Sequence, residues 1–241
     1  MQTLLLTPKE PLMSEAIATK SDQAADDHGH DAGHGTTTGI SNNKLMMWAF
    51  LGSECLLFGA LISTYLLYKE RFNGFAEGLA PFAEDGRNIG PRFGGSDGEG
   101  VFDIPFTSIS SFVLLASSLT MVLALSSIRR GEYRNFRIWT LTTAALGSVF
   151  IAGQIYAFTD FVEKGLAYSS NIFGSAFFTL TGFHGVHVTI GIVMLLATYI
   201  MHKQGRLNQD KAETVEIVGL YWHFVDVVWI LIFTVVYLFP Q

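Results

Sequence analysis

The chain has 241 residues, 49% of them hydrophobic and only 15% charged, with a formal net charge of −6. Positive mean hydropathy and twenty phenylalanines point to an integral membrane protein. There is no basic stripe for nucleic acid, and a lone cysteine, Cys55, excludes an internal disulfide and any Cys–x–x–Cys pair.

Residues 1–43 read as a polar segment. It carries a short His/Asp/Gly tract, with His28, His30, Asp31 and His34. Such tracts can chelate a metal, but interspersed glycines leave the ligands unorganised, so a solvated tail is expected. Leu4–Leu5–Leu6 is too short for the apolar core of a cleavable leader, and the first span would direct membrane insertion.

The remainder, 44–241, reads as one membrane domain. Apolar stretches at about 45–68, 106–128, 138–160, 172–201 and 215–239 each exceed the roughly 18 residues of a transmembrane candidate. The expected fold is therefore an all-α bundle of five transmembrane helices. All six prolines fall outside the span interiors, where a missing N–H costs little. A Gly-rich insert at about 69–105 separates the first two spans. It lacks the strand–loop–helix setting and the Gly–Lys–Ser/Thr ending of a phosphate loop, and docking on another subunit is its expected role. With the N-terminus cytoplasmic and the C-terminus periplasmic, ten Lys and Arg fall in inner segments and five in outer ones, as the positive-inside rule favours.

Ionisable groups inside a span are candidates for function. The first span holds Glu54, the fourth His184 and His187, and the fifth Glu216, His223 and Asp226. At about 1.5 Å per residue, Glu54, His223 and Asp226 fall in one layer, with His187 and His184 beyond it. His184 and His187 are three apart and share a helix face, as do His223 and Asp226. Trp222, Asp226 and Trp229 form a stripe, and indole and imidazole N–H groups are expected to satisfy the acids. The fourth span is the expected partner of Asp226.

Three roles compete for these groups. Interhelical hydrogen bonding is the ordinary one. Paired i,i+3 ligands on facing helices also build metal centres. Glu54 is either a protonated packing group or a proton-linked, reactive carboxylate. Gly52, Ser53, Gly59 and the serines of the second span, including Ser108, Ser110, Ser111, Ser117 and Ser118, suit close helix approach. Trp48, Trp139, Tyr65, Tyr68 and Tyr237 suit interfacial belts.

Three segments carry a family resemblance. Tyr221–Trp–His–Phe–Val–Asp–Val–Val–Trp229 closely resembles the C-terminal motif of subunit III of haem–copper terminal oxidases. Phe177–Phe–Thr–Leu–Thr–Gly–Phe–His184–Gly–Val–His187–Val188 resembles the preceding helix of that family. Phe50–Leu–Gly–Ser–Glu54, with Phe58 four residues on, resembles its third helix in seven-helix members. The three occur in the family's order, and the resemblance covers about residues 44–240.

The resemblance implies a five-helix bacterial form of cytochrome c oxidase subunit III in the cell inner membrane. Such a subunit binds no cofactor itself. Haem and copper reside in the partner catalytic subunit, which reduces oxygen to water and pumps protons. Subunits I and II, structural phospholipids and a larger respiratory supercomplex are the implied partners. The implied roles are support of proton uptake, protection against inactivation during turnover, and lipid binding. Glu54 matches a membrane carboxylate similar in position to one that reacts with carbodiimides. His184, His187, Glu216, His223, Asp226 and Trp229 match polar positions that are mostly structural, with no catalytic or metal-binding residue among them. Alternatives are subunit III of a quinol oxidase, an accessory protein of nitric oxide reductases and, from another class, a stand-alone ion transporter. A transporter would usually show internal repeats and broken helices.

Overall fold

In the computed structural model, residues 41–75, 104–163, 168 and 172–238 are described. The His tract and nearly all of the Gly-rich insert lie outside them. Five α-helices run in order: α1 (Asn42–Phe75), α2 (Ile104–Arg129), α3 (Tyr133–Glu163), α4 (Ile172–Lys203) and α5 (Ala212–Phe233). A 3-10 turn, Gln209–Lys211, precedes α5, and a π turn, Thr234–Leu238, follows it. All five are long and apolar enough to cross a membrane. The first helix continues through Phe75, so the expected insert begins later than residue 69. Pro105 occupies the first turn of α2, where its absent N–H costs nothing.

Two short connections turn the chain back on itself by the same device. At the α2–α3 turn, Glu132 N–H donates to Ser127 C=O (2.9 Å) and Gly131 N–H to Ile128 C=O (3.1 Å). At the end of α4, Arg206 N–H donates to Met201 C=O and Gly205 N–H to His202 C=O, each at 3.0 Å. Both glycines have φ of 73°, the left-handed conformation this helix stop requires. His202 adds a side-chain bond, Nδ1 to Leu207 C=O at 2.8 Å, which holds the chain on its way to α5.

Inside the bundle, small and hydroxylic side chains are interleaved with buried aromatic and aliphatic ones, and the outside is apolar. On α3, Phe136, Thr140, Thr143, Gly147 and Phe150 are buried at alternating spacings of four and three, one stripe of a helix. Ile138, Leu141, Val149 and Ile155 of the same helix face outward. Thr120 of α2 and Thr143 of α3 share a hydrogen bond of 2.8 Å. This is how membrane helices pack, since apolar side chains gain nothing by leaving lipid, whereas small and hydroxylic ones permit close approach and bonding.

Trp222 of α5 fills the centre and is 1% exposed. Its ring lies between two glycines of different helices. A Cβ on Gly147 of α3 would stand 2.5 Å from Trp222 Cη2, and one on Gly191 of α4 would stand 2.8 Å from its Cε3. Gly219 of α5 faces Met121 of α2 in the same way, at 3.2 Å.

The first helix meets the others through long side chains. Phe50 stacks near Tyr221 (6.3 Å) and Phe58 lies 5.0 Å from the His187 ring and 6.3 Å from Phe224. Gly52 and Gly59, expected to draw helices together, have nothing within 4 Å of their Cβ positions and face outward. Tyr65, expected in an interfacial belt, is fully buried. Trp48 is well exposed, as a belt residue should be.

Overpacking the tryptophan slot is expected to be costly. Gly191→Ala should destabilise the subunit by about 1–3 kcal/mol, read as a lower temperature for its thermal release from the native complex. An unchanged release temperature would mean that Trp222 is not held between α3 and α4.

Candidate functional site: a polar seam between α2 and α5

The stripe Trp222, Asp226 and Trp229 faces α2. Trp222 Nε1–H donates to Ser117 Oγ at 3.0 Å. Ser118 Oγ–H donates to Asp226 Oδ2 at 2.6 Å. Trp229 Nε1–H donates to Ser111 Oγ at 2.8 Å. Ser111 and Ser117 pass their own protons to backbone carbonyls of α2, those of Thr107 and Leu114. Each hydroxyl is thus a donor to its own helix and an acceptor for an indole. The order of pairing makes α2 and α5 antiparallel neighbours.

This corrects two expectations. The indoles satisfy serines, not the acids. Asp226 is bonded to the second span, not the fourth. The reason is azimuth: the Trp222–Asp226–Trp229 stripe points at α2, while α4 receives the opposite side of the Trp222 ring at Gly191. Asp226 is 5% exposed, and among the described residues its Oδ1 has no hydrogen-bond partner. His223 Nδ1 lies 3.2 Å from the same Ser118 hydroxyl.

Glu54 and His187 form a separate unit across α1 and α4. His187 Nε2 is 3.2 Å from Glu54 Oε2, with the two side chains 10% and 15% exposed. His187 Nδ1 is 2.8 Å from Phe183 C=O. A carbonyl only accepts, so Nδ1 carries a proton. One proton then lies between Nε2 and Glu54, either on the acid or on the imidazole. Tyr221 O–H donates to His187 C=O at 3.1 Å, tying α5 to α4 beside the pair. The single layer expected of Glu54, His223 and Asp226 therefore divides into two hydrogen-bonded units.

His184 takes another course. It is fully buried, stacked on Trp229 at 4.9 Å, with Phe58 and Phe150 edge-on at 6.4 and 6.0 Å. Among the described residues neither of its ring nitrogens has a hydrogen-bond partner, so it packs as an aromatic ring. His184 and His187 share a helix and the neighbour Phe58, but of the two only His187 has hydrogen-bond partners among the described residues. Among the described residues no group of three or more His, Cys, Asp or Glu is placed to hold a metal ion.

Glu216 sits near the start of α5. Its carboxylate meets Lys44 Nζ at 2.9 Å and Arg129 at 2.6 Å, joining the start of α1, the end of α2 and the start of α5. Gln209 Nε2–H donates to Arg129 C=O at 2.7 Å and closes the same corner.

Sequence reasoning placed the acids, histidines and tryptophans but missed their partners. Ser111, Ser117 and Ser118 were credited with small size only, and Gln154, whose Nε2–H donates to Thr181 C=O at 2.9 Å, was given no role. One signal was present. Ser111 and Ser117 are six apart and Trp222 and Trp229 seven apart, a rise along the two helices similar enough for them to meet along one line.

Comparison with known proteins adds the relatives. The family described as cytochrome c oxidase subunit III matches residues 18–241. The chain is 36% identical over 197 residues to cytochrome c oxidase subunit 3 of Bacillus sp. (strain PS3), covering 82% of this chain and 86% of that one. It is 38% identical over 196 residues to quinol oxidase subunit 3 of Bacillus subtilis (strain 168), covering 81% and 86%. It is 31% identical over 226 residues to cytochrome bo(3) ubiquinol oxidase subunit 3 of Pseudomonas aeruginosa, covering 94% and 98%.

Ser111→Ala orphans the buried Trp229 N–H and should cost about 1–3 kcal/mol. Trp229→Phe removes the donor, so the double variant should cost less than the sum of the two singles. Strict additivity in thermal release from the complex would argue that the indole–hydroxyl bond is absent.

Proposed function

Since the chain belongs to the cytochrome c oxidase subunit III family and is subunit III of a haem–copper oxidase, we propose that it serves as the non-redox flank of the catalytic subunit. The surroundings of His184 and His187 do not suit a haem or copper ligand. Both nitrogens of His187 are engaged, by Phe183 C=O and by Glu54, and the His184 ring is enclosed by Trp229, Phe58 and Phe150. The observation that carries this reading is the seam itself: the polar side chains of α5 are spent on joining helices. Haem and copper in the partner subunit supply the oxygen chemistry. This chain supplies a rigid lipid-embedded wall, with Glu54, His184, His187, Glu216, His223, Asp226 and Trp229 as its polar joints.

The N-terminus is proposed to be cytoplasmic and the C-terminus periplasmic. Lys44, Arg129, Arg130, Arg134, Arg137, Lys203 and Arg206 belong to helix ends and turns on one side of the bundle, as the positive-inside rule requires. The electron donor is proposed to be cytochrome c, with reduction of oxygen to water coupled to proton pumping. Quinol is the second reading, supported by the names of the relatives in B. subtilis and P. aeruginosa. Lipids and oxidase subunits I and II are the proposed neighbours, within a larger respiratory assembly.

Removal of this subunit from the purified complex tests the reading. Haem and copper per catalytic subunit should be unchanged and initial oxygen consumption largely kept, while activity decays faster during turnover. Loss of haem or copper with the subunit would contradict it. Reduced cytochrome c and a quinol, offered in turn, decide the donor.

Glu54→Gln keeps a donor for His187 Nε2, since a Gln amide N–H replaces the acid proton. The variant should assemble and reduce oxygen, and carbodiimide labelling at position 54 should disappear. Failure to assemble would mean that the pair is a carboxylate with an imidazolium.

A further inference from the structure

Beyond the flanking role, we infer that Ser118 joins His223 and Asp226 into one proton-holding unit inside the membrane, a hydroxyl bridge across which imidazole and carboxyl exchange a single proton. Ser118 Oγ is 2.6 Å from Asp226 Oδ2 and 3.2 Å from His223 Nδ1. A serine hydroxyl has one proton to donate and two lone pairs to accept with. Of the two bonds at Oγ, Ser118 therefore donates one and receives the other, and only two arrangements satisfy both.

In the first, His223 Nδ1–H donates to Oγ and Ser118 O–H donates to an Asp226 carboxylate. In the second, Asp226 O–H donates to Oγ and Ser118 O–H donates to Nδ1. Two protons each moving across one bond interconvert them. The N–H bond at Nδ1 breaks as a new O–H bond forms on Oγ, and the former Oγ–H bond breaks as one forms on Oδ2. An imidazolium and a carboxylate become a neutral imidazole, protonated on Nε2, and a carboxylic acid. Net charge is zero on both sides, which the membrane interior favours over a lone ion. The partly buried His223 is the side from which the proton enters, and the buried Asp226 is where it is held.

Asp226 Oδ1 has no hydrogen-bond partner among the described residues, so among them proton exchange with the carboxyl runs through Oδ2 and Ser118. The packed helices add few competing groups. No titratable side chain precedes Arg129 on α2, and none lies between Arg137 and Tyr156 on α3. α4 presents His184, stacked on Trp229, and His187, already bonded to Glu54 of α1.

Infrared titration of the intact oxidase complex tests this. The Asp226 carboxyl band is identified by its loss in Asp226→Asn, and the His223 ring mode by its loss in His223→Gln. Loss of a shared proton moves both signals at a common midpoint, because that macroscopic step belongs to the pair and not to either residue. Ser118→Thr, which keeps the hydroxyl, should preserve that midpoint, and Ser118→Ala should separate the two. Two independent midpoints in the native complex would overturn the inference, as would a common midpoint that survives Ser118→Ala. Should Ser118→Ala not assemble, the native titration decides alone.

Discussion

A bilayer offers no water to bond a buried N–H or carboxyl, so a polar group on a transmembrane helix must find its partner within the protein, on its own helix or another. In this chain α5 meets that constraint along one line of α2, where Ser111, Ser117 and Ser118 receive Trp229, Trp222 and Asp226. The rest of the packing follows. With the stripe fixed on α2, the Trp222 ring is directed between α3 and α4, and both helices can approach it only through Gly147 and Gly191. Tyr221, one residue earlier, reaches the backbone of α4 at His187. The tryptophans that bond the serines are thus also the spacers that set the other two helices.

The first helix is attached by different means. Glu54 on His187, Phe58 among aromatic rings, and Lys44 on Glu216 hold α1 at three heights. Between these points its surface is turned outward and includes Leu45, Met46, Leu56 and Leu67. Outward-facing leucines carry no penalty in lipid. A helix in this setting is secured by a few polar and aromatic joints rather than by a continuous core. The Glu54–His187 unit is such a joint, and the one proton it holds keeps it neutral without a metal or a lysine.

Much of this was legible in the sequence. Five apolar stretches gave five helices, because length and hydropathy decide insertion independently of packing. Of the polar residues named from the fourth and fifth spans, His187, Glu216, His223 and Asp226 bond or pair with other helices, while His184 packs as a ring. Counting residues along a helix gives height but not direction. Glu54 and Asp226 were therefore placed in one layer, although one faces α4 and the other α2. Small residues were read only as room for contact. At Gly147 and Gly191 that is their role, but Gly52 and Gly59 face outward, and the serines of α2 act through their hydroxyls. Their partners lie more than a hundred positions away, beyond any local pattern, and only the similar spacing of Ser111 and Ser117 and of Trp222 and Trp229 hints at the pairing. His184 and His187 share a helix face, yet one ring stacks on Trp229 and the other bonds Glu54.

The central claim is that the indoles of α5 are joined to hydroxyls of α2 within the membrane. Ultraviolet resonance Raman spectra of the intact complex report the hydrogen-bonding state of indole N–H groups, and difference spectra against Trp222→Phe and Trp229→Phe isolate the two rings. Both should show hydrogen-bonded N–H bands. A free-indole band from either ring would contradict the account.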